Sequence, residues 1–134
     1  MNRTELDKFE KLVGQIQSVY DETSVLSKKS PNDAVNTFKL SFINTLLAAA
    51  NVLLGKSYRP FEEFTQFDED NVPQNSDVVF ILSQYLQCFE KLRADNVVWR
   101  MGSWHWTIEA KGEVGADESG RIYIRTVIPK RLRD

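Results

Sequence analysis

Cysteine and histidine are nearly absent from this chain: of 134 residues one is cysteine, Cys88, and one is histidine, His105. A single thiol forms no internal disulfide, so the core and its hydrogen bonds must hold the fold. One thiol and one imidazole leave no ligand set for a zinc site, and the sequence predicts neither a metal nor a cofactor. Cys88 lies in an apolar run and reads as a small buried hydrophobe, which suits a reducing compartment. There is no glycine-rich phosphate loop, no serine in a nucleophile elbow and no aspartate in strand phase with the histidine. Long hydrophobic runs are missing too. The most apolar window, "LSFINTLLAAANVLLG" at 40–55, is short for a bilayer span and carries Asn44 and Asn51. The start, "MNRTELDKFEK", has no apolar signal-peptide core. These absences predict a cytoplasmic protein with no membrane partner.

What is present is an ordinary globular balance, 42% hydrophobic and 27% charged residues, at a length that suits one domain over 1–134. Charge is unevenly placed. Residues 1–96 hold ten Lys/Arg against fourteen Asp/Glu, whereas 97–134 hold seven against five. An acidic helical part thus precedes a basic hairpin part, whose tail continues into Lys130, Arg131 and Arg133.

Helical periodicity governs the first part. Leu6, Phe9, Val13, Ile16 and Tyr20 alternate spacings of three and four, which predicts a first helix over about 4–27 with Thr4 as its cap. Its apolar stripe is wide enough to suggest a homodimer contact through this helix. "SPNDAVNTF" predicts the start of a second helix, about 31–54, with Ser30 as cap and Pro31 in the first turn. Apolar residues spread over more than half of its circumference, so it is read as central, and Ser41, Thr45 and Ala48 form a strip where another backbone could approach closely. Gly55 suits its end. Val78, Leu82, Tyr85, Phe89 and Leu92 predict a third helix over about 76–95, capped by Asn75 or Ser76 and stopped at Asn96. Between the second and third, "RPFEEFTQFDEDNVP" is expected to form a short helical turn at about 61–66.

After Asn96 the period becomes two. Trp104, Trp106 and Ile108 alternate with Ser103, His105, Thr107 and Glu109, and Ile122 and Ile124 alternate with Arg121, Tyr123 and Arg125. The glycine-bearing "AKGEVGADESG" between them reads as a loop. The pattern predicts an antiparallel hairpin or small sheet, about 97–109 and 121–128, with "NVVWRM" a candidate third strand and Gly102 a bend or bulge. A lone hairpin is marginal in water, so Trp104 and Trp106 are expected to anchor it on the helices. The fold class is therefore α+β.

Three groups of residues are candidates for function. The outer face of the hairpin sets His105, Thr107 and Glu109 beside Arg121, Tyr123 and Arg125, a polar patch that could meet an acidic protein or, less in keeping with the acidic chain, phosphates. The run Glu62, Glu63, Asp68, Glu69 and Asp70 lacks the spacing and glycine of a calcium loop and suits docking to a basic partner. Finally, Arg100 and His105, separated by four residues, resemble the motif of HEPN-type ribonucleases, helical proteins that cleave RNA without a metal. The resemblance implies a catalytic pair at the start of a late helix, the arginine steadying a phosphate and the histidine moving a proton. On an unbroken strand, however, positions 100 and 105 point to opposite faces. With catalytic residue types scarce, the composition favours a non-catalytic module that binds another protein, such as a small subunit, adaptor or inhibitor.

Overall fold

The structure, a computed structural model, describes residues 1–130; Arg131 and Arg133 of the basic tail lie outside the described residues. Three helices, α1 (Arg3–Lys29), α2 (Thr37–Tyr58) and α3 (Asn75–Asp95), precede three strands, β1 (Val97–Arg100), β2 (Ser103–Glu109) and β3 (Arg121–Thr126). The strands form one antiparallel sheet in the order β1-β2-β3, so the fold is α+β as the two periodicities predict. By compactness the chain divides into two units, Met1–Glu10 with Glu90–Asp134, and Lys11–Phe89.

The unit Lys11–Phe89 is helical. Val78, Leu82, Tyr85 and Phe89 of α3 are all buried, as are Leu12 and Ile16 of α1 and Leu40, Ile43, Leu47, Ala50 and Leu54 of α2. Local chemistry moves the helix starts away from the expected caps. Asn2, not Thr4, caps α1: its Oδ1 accepts from Glu5 N at 2.8 Å and Glu5 Oε1 accepts from Asn2 N, a reciprocal capping box. α2 begins at Thr37 rather than at Pro31, because Asn36 Oδ1 accepts from Lys39 N. The residues just before it are held elsewhere. Val35 N donates to Pro73 O and Asn75 N to Asp33 O, which ties residues 33–35 to the entry of α3. At Gly55 the backbone takes φ +63° and the helix kinks, then continues for one turn to Tyr58.

The connection from 59 to 74 forms no helical turn, contrary to expectation. Two asparagines of α2 hold it instead. Asn44 Nδ2 donates to Phe67 O and Asn44 Oδ1 accepts from Phe67 N, both at 2.9 Å. Asn51 Nδ2 donates to Thr65 O, and Asn51 Oδ1 accepts from Tyr85 OH at 2.7 Å. A backbone satisfied by side chains has no need of i→i+4 bonds. Phe61, Phe64 and Phe67 stack edge to face in series along this segment.

In the other unit the sheet rests on the two helix ends. Trp106 is fully buried, and Phe9 of α1 meets its ring edge to face with centroids 5.2 Å apart. Ile108 and Ile122 are buried on the same face, whereas Trp104 is only half-buried and Trp99, 62% exposed, stacks against it at 5.7 Å. The candidate strand at 97–100 is real. Met101 (φ +52°) and Gly102 (φ +82°) turn it back in two residues, so Gly102 serves a tight hairpin turn rather than a bend or bulge.

Candidate interaction surfaces

The hairpin turn decides where the Arg-His pair lies. Because Met101 and Gly102 close the loop, Arg100 is the cross-strand partner of Ser103, and both share a sheet face with His105. The opposite-face expectation assumed one unbroken strand and is thereby corrected. Val98 and Arg125 flank His105 in register, and Glu109 faces Arg121 across β2 and β3. The candidate residues Arg100, His105, Glu109, Arg121, Tyr123 and Arg125 thus occupy one face of the three-stranded sheet.

Internal partners take up part of that face. The guanidinium carbon of Arg100 lies 4.0 Å from the centre of the Tyr123 ring, a close cation–π stack reaching diagonally across β2. Tyr123 OH donates to Asp117 Oδ2 at 3.1 Å. Asp117 was not singled out from sequence, yet it organises the β2–β3 loop: its Oδ1 accepts from Ser119 N, Ser119 Oγ and Arg121 N. These hydrogen bonds, with Ser119 Oγ first, hold its carboxyl down to about 2. The signal for it was the "DESG" turn, in which an aspartate accepts from the backbone two residues on. His105 Nδ1 lies 3.1 Å from its near neighbour Ser103 O, and the imidazole is part-covered rather than fully open to water.

The acidic run is less concentrated than its sequence. Glu62, Glu63, Asp68, Glu69 and Asp70 are all exposed. Only Asp68 lines the open cavity of about 680 Å³ that Phe64, Phe67, Phe80 and Asp77 also border. Its Oδ1 accepts from Asp70 N at 2.8 Å, and Asp77 Oδ2 accepts from Gln74 N at 3.0 Å, so each carboxylate is partly engaged in a local turn. Among the described residues, no cluster of three His, Cys, Asp or Glu side chains is placed to hold a metal ion. Burial raises the Cys88 thiol above its usual range, which lowers its reactivity.

A third surface lies on α2. Phe38, Ser41, Phe42, Thr45, Ala48, Ala49 and Val52 are all exposed, opposite the buried side of the helix. Phe38 is 72% exposed, Phe42 57% and Val52 85%, and the two phenylalanines stack edge to face. At 22 residues α2 is long and apolar enough to cross a membrane, so length by itself does not exclude a span.

No protein-family profile, curated protein or solved structure matches the chain.

Proposed function

We propose that this chain is a non-catalytic protein-interaction module. The uncharged outer face of α2 carries the reading: no Asp, Glu, Lys or Arg occurs from Leu40 to Gly55, and three large apolar side chains on that stretch and at its start stand in water. Soluble surfaces ordinarily scatter such side chains singly, and a contiguous patch marks a contact site. The first helix offers less than its sequence suggests, since Leu6, Phe9, Leu12 and Ile16 are buried and only Val25 and Leu26 remain exposed. The basic sheet face and the exposed acids of 62–70 are two further charged surfaces, each suited to selecting a partner by charge. Affinity capture from the native cell tests this. Wild type retains an associated protein, and Phe42→Glu loses it; recovery of the same proteins with both, and with charge reversal at Arg121 and Arg125, counts against the reading.

A ribonuclease is the second reading, favoured by one observation: the turn at Met101–Gly102 brings Arg100 and His105 to one face. Against it, both lie on strands rather than at the start of a late helix, and Arg100 is stacked on Tyr123. The purified chain is expected to leave single-stranded RNA intact. Cleavage that disappears in both Arg100→Ala and His105→Ala, with the fold retained, would reverse the order of the two readings.

A further inference from the structure

We infer that α2 pairs with α2 of a second copy of this chain, antiparallel about Thr45. The inference rests on the interaction-module reading and names the partner. A helix stretch that carries no charge on any side, as α2 does from Leu40 to Gly55, is ordinarily enclosed on every side. Here one side is enclosed by the fold and the other is bare. Along the bare side, positions 38, 41, 45, 48 and 52 alternate spacings of three and four, the seam of a helix pair, with Phe42 and Ala49 alongside.

The distribution of bulk selects an identical helix running the other way. Phe38 and Phe42 sit toward the N-terminal end, and Ala48 and Ala49 toward the C-terminal end, with Thr45 between. A two-fold axis through Thr45 lays Phe42 of one copy over Ala49 of the other, Ser41 over Ala48, and Phe38 by Val52. Large side chains then meet small ones, and the exchange is reciprocal, as an isologous contact requires. Parallel pairing sets phenylalanine on phenylalanine and alanine opposite alanine, which leaves a gap. Charge agrees. The exposed Lys56 of one copy comes to the other's N-terminal end, where the exposed Asp33 precedes α2 and Glu22 already pairs with Lys39. The face is about 21 Å long at 1.5 Å per residue. A face of that length closes less surface than a standard interface, so the dimer is expected to be weak and reversible.

Sedimentation of the full chain from about 5 to 500 μM reads the pairing directly, and engineered disulfides read its direction. In a Cys88→Ala background, Thr45→Cys lies on the axis and is expected to cross-link to its mate under mild oxidation. Ser41→Cys, about 12 Å from its own mate along the axis by the helix rise, is expected to stay unlinked. Ala48→Arg, on the exposed face, is expected to sediment as monomer throughout, with an unchanged circular dichroism spectrum. Monomeric wild type at the highest concentration overturns the inference, and so does cross-linking of Ser41→Cys as readily as Thr45→Cys. Partition of wild type, but not Ala48→Arg, into phosphatidylcholine vesicles without self-association overturns it in favour of a lipid surface. If wild type is monomeric yet Ala48→Arg releases a different protein from the native lysate, self-pairing falls and the interaction module stands; if nothing is released either, both fall.

Discussion

The guanidinium carbon of Arg93 lies 5.2 Å from the centre of the Trp106 ring and 5.9 Å from that of Phe9, while Arg93 Nη1 donates to Thr126 Oγ1 at 2.8 Å. One side chain from the last turn of α3 thus touches the anchor of the sheet, the helix end beneath it and the edge strand β3. Arg93 is only 9% exposed, so its charge is largely desolvated and its aliphatic stem contributes packing as well. Its ion pairs with Glu10 and Glu90, at 3.8 and 3.9 Å, are long and contribute little beside these contacts.

Arg93→Ala is therefore expected to destabilise the chain by about 2–3 kcal/mol, from the lost hydrogen bond, ring contact and packing. Arg93→Lys should recover only part of this, because an ammonium lacks the planar fork. Urea unfolding followed by tryptophan fluorescence measures both. An Arg93→Ala variant within 0.5 kcal/mol of wild type would show that the sheet does not depend on this contact.

Trp106 Nε1 is buried with no acceptor among the described residues. Trp106→Phe then removes an unpaired donor along with its apolar area, and the expected cost is about 1–2 kcal/mol, against about 3–5 for Trp106→Ala. Equal losses in the two variants would contradict this account.

Met101 occupies the left-handed region at φ +52° in a two-residue turn that favours asparagine. Met101→Asn should stabilise by about 0.5–1 kcal/mol and Met101→Val should destabilise, since a β-branched side chain tolerates that conformation least. Thermal unfolding of the two variants gives opposite signs if the turn is as described.

Asn44 closes two hydrogen bonds on Phe67 from a buried position. Asn44→Ala leaves both backbone groups of Phe67 without this partner and should cost about 2–4 kcal/mol. Limited proteolysis should show faster cutting between residues 59 and 74 in the variant. Unchanged cutting would place the anchorage of this segment elsewhere.

Asp117 carries the pH dependence of the sheet loop. Its carboxyl sits near 2 in the folded chain against 3.8 for a free side chain, so its stabilisation is fully present above about pH 4 and is lost as pH falls through about 2. A carbon-detected NMR titration should find the Asp117 carboxyl shifting near pH 2, with Ser119 and Arg121 amides following it. In Asp117→Asn those amides should be insensitive to pH across the same range. Titration near 3.8 in wild type would remove the claimed hydrogen bonds.

Much of the architecture is legible in the amino-acid sequence. The stripe Val78, Leu82, Tyr85, Phe89 and Leu92 predicts α3 and its buried side, because helical spacing and burial are the same statement made twice. Alternation at 103–109 likewise predicts β2 with Trp106 inward. The helix starts were less legible, since Ser30, Pro31 and Asp33 are good first-turn residues, yet their backbone is tied to the entry of α3. Parity along a strand failed at Arg100 and His105, because a two-residue turn resets which positions share a face.

The candidate surfaces divide along the same line. Residue types at 105–125 named a polar sheet face, and the register gathered them there. The runs of amino acids along the chain determined the class of fold, the three helices and the amphipathic strands, because periodicity is a local property that each segment carries by itself. Tertiary structure alone decided that Arg93 stacks on Trp106, that two asparagines of α2 replace a helical turn at 61–66, and that the far side of α2 stays uncovered. Each of those depends on which of several chemically equivalent apolar or polar groups, distant in sequence, reaches a given place first, and spacing along one segment carries no record of that competition.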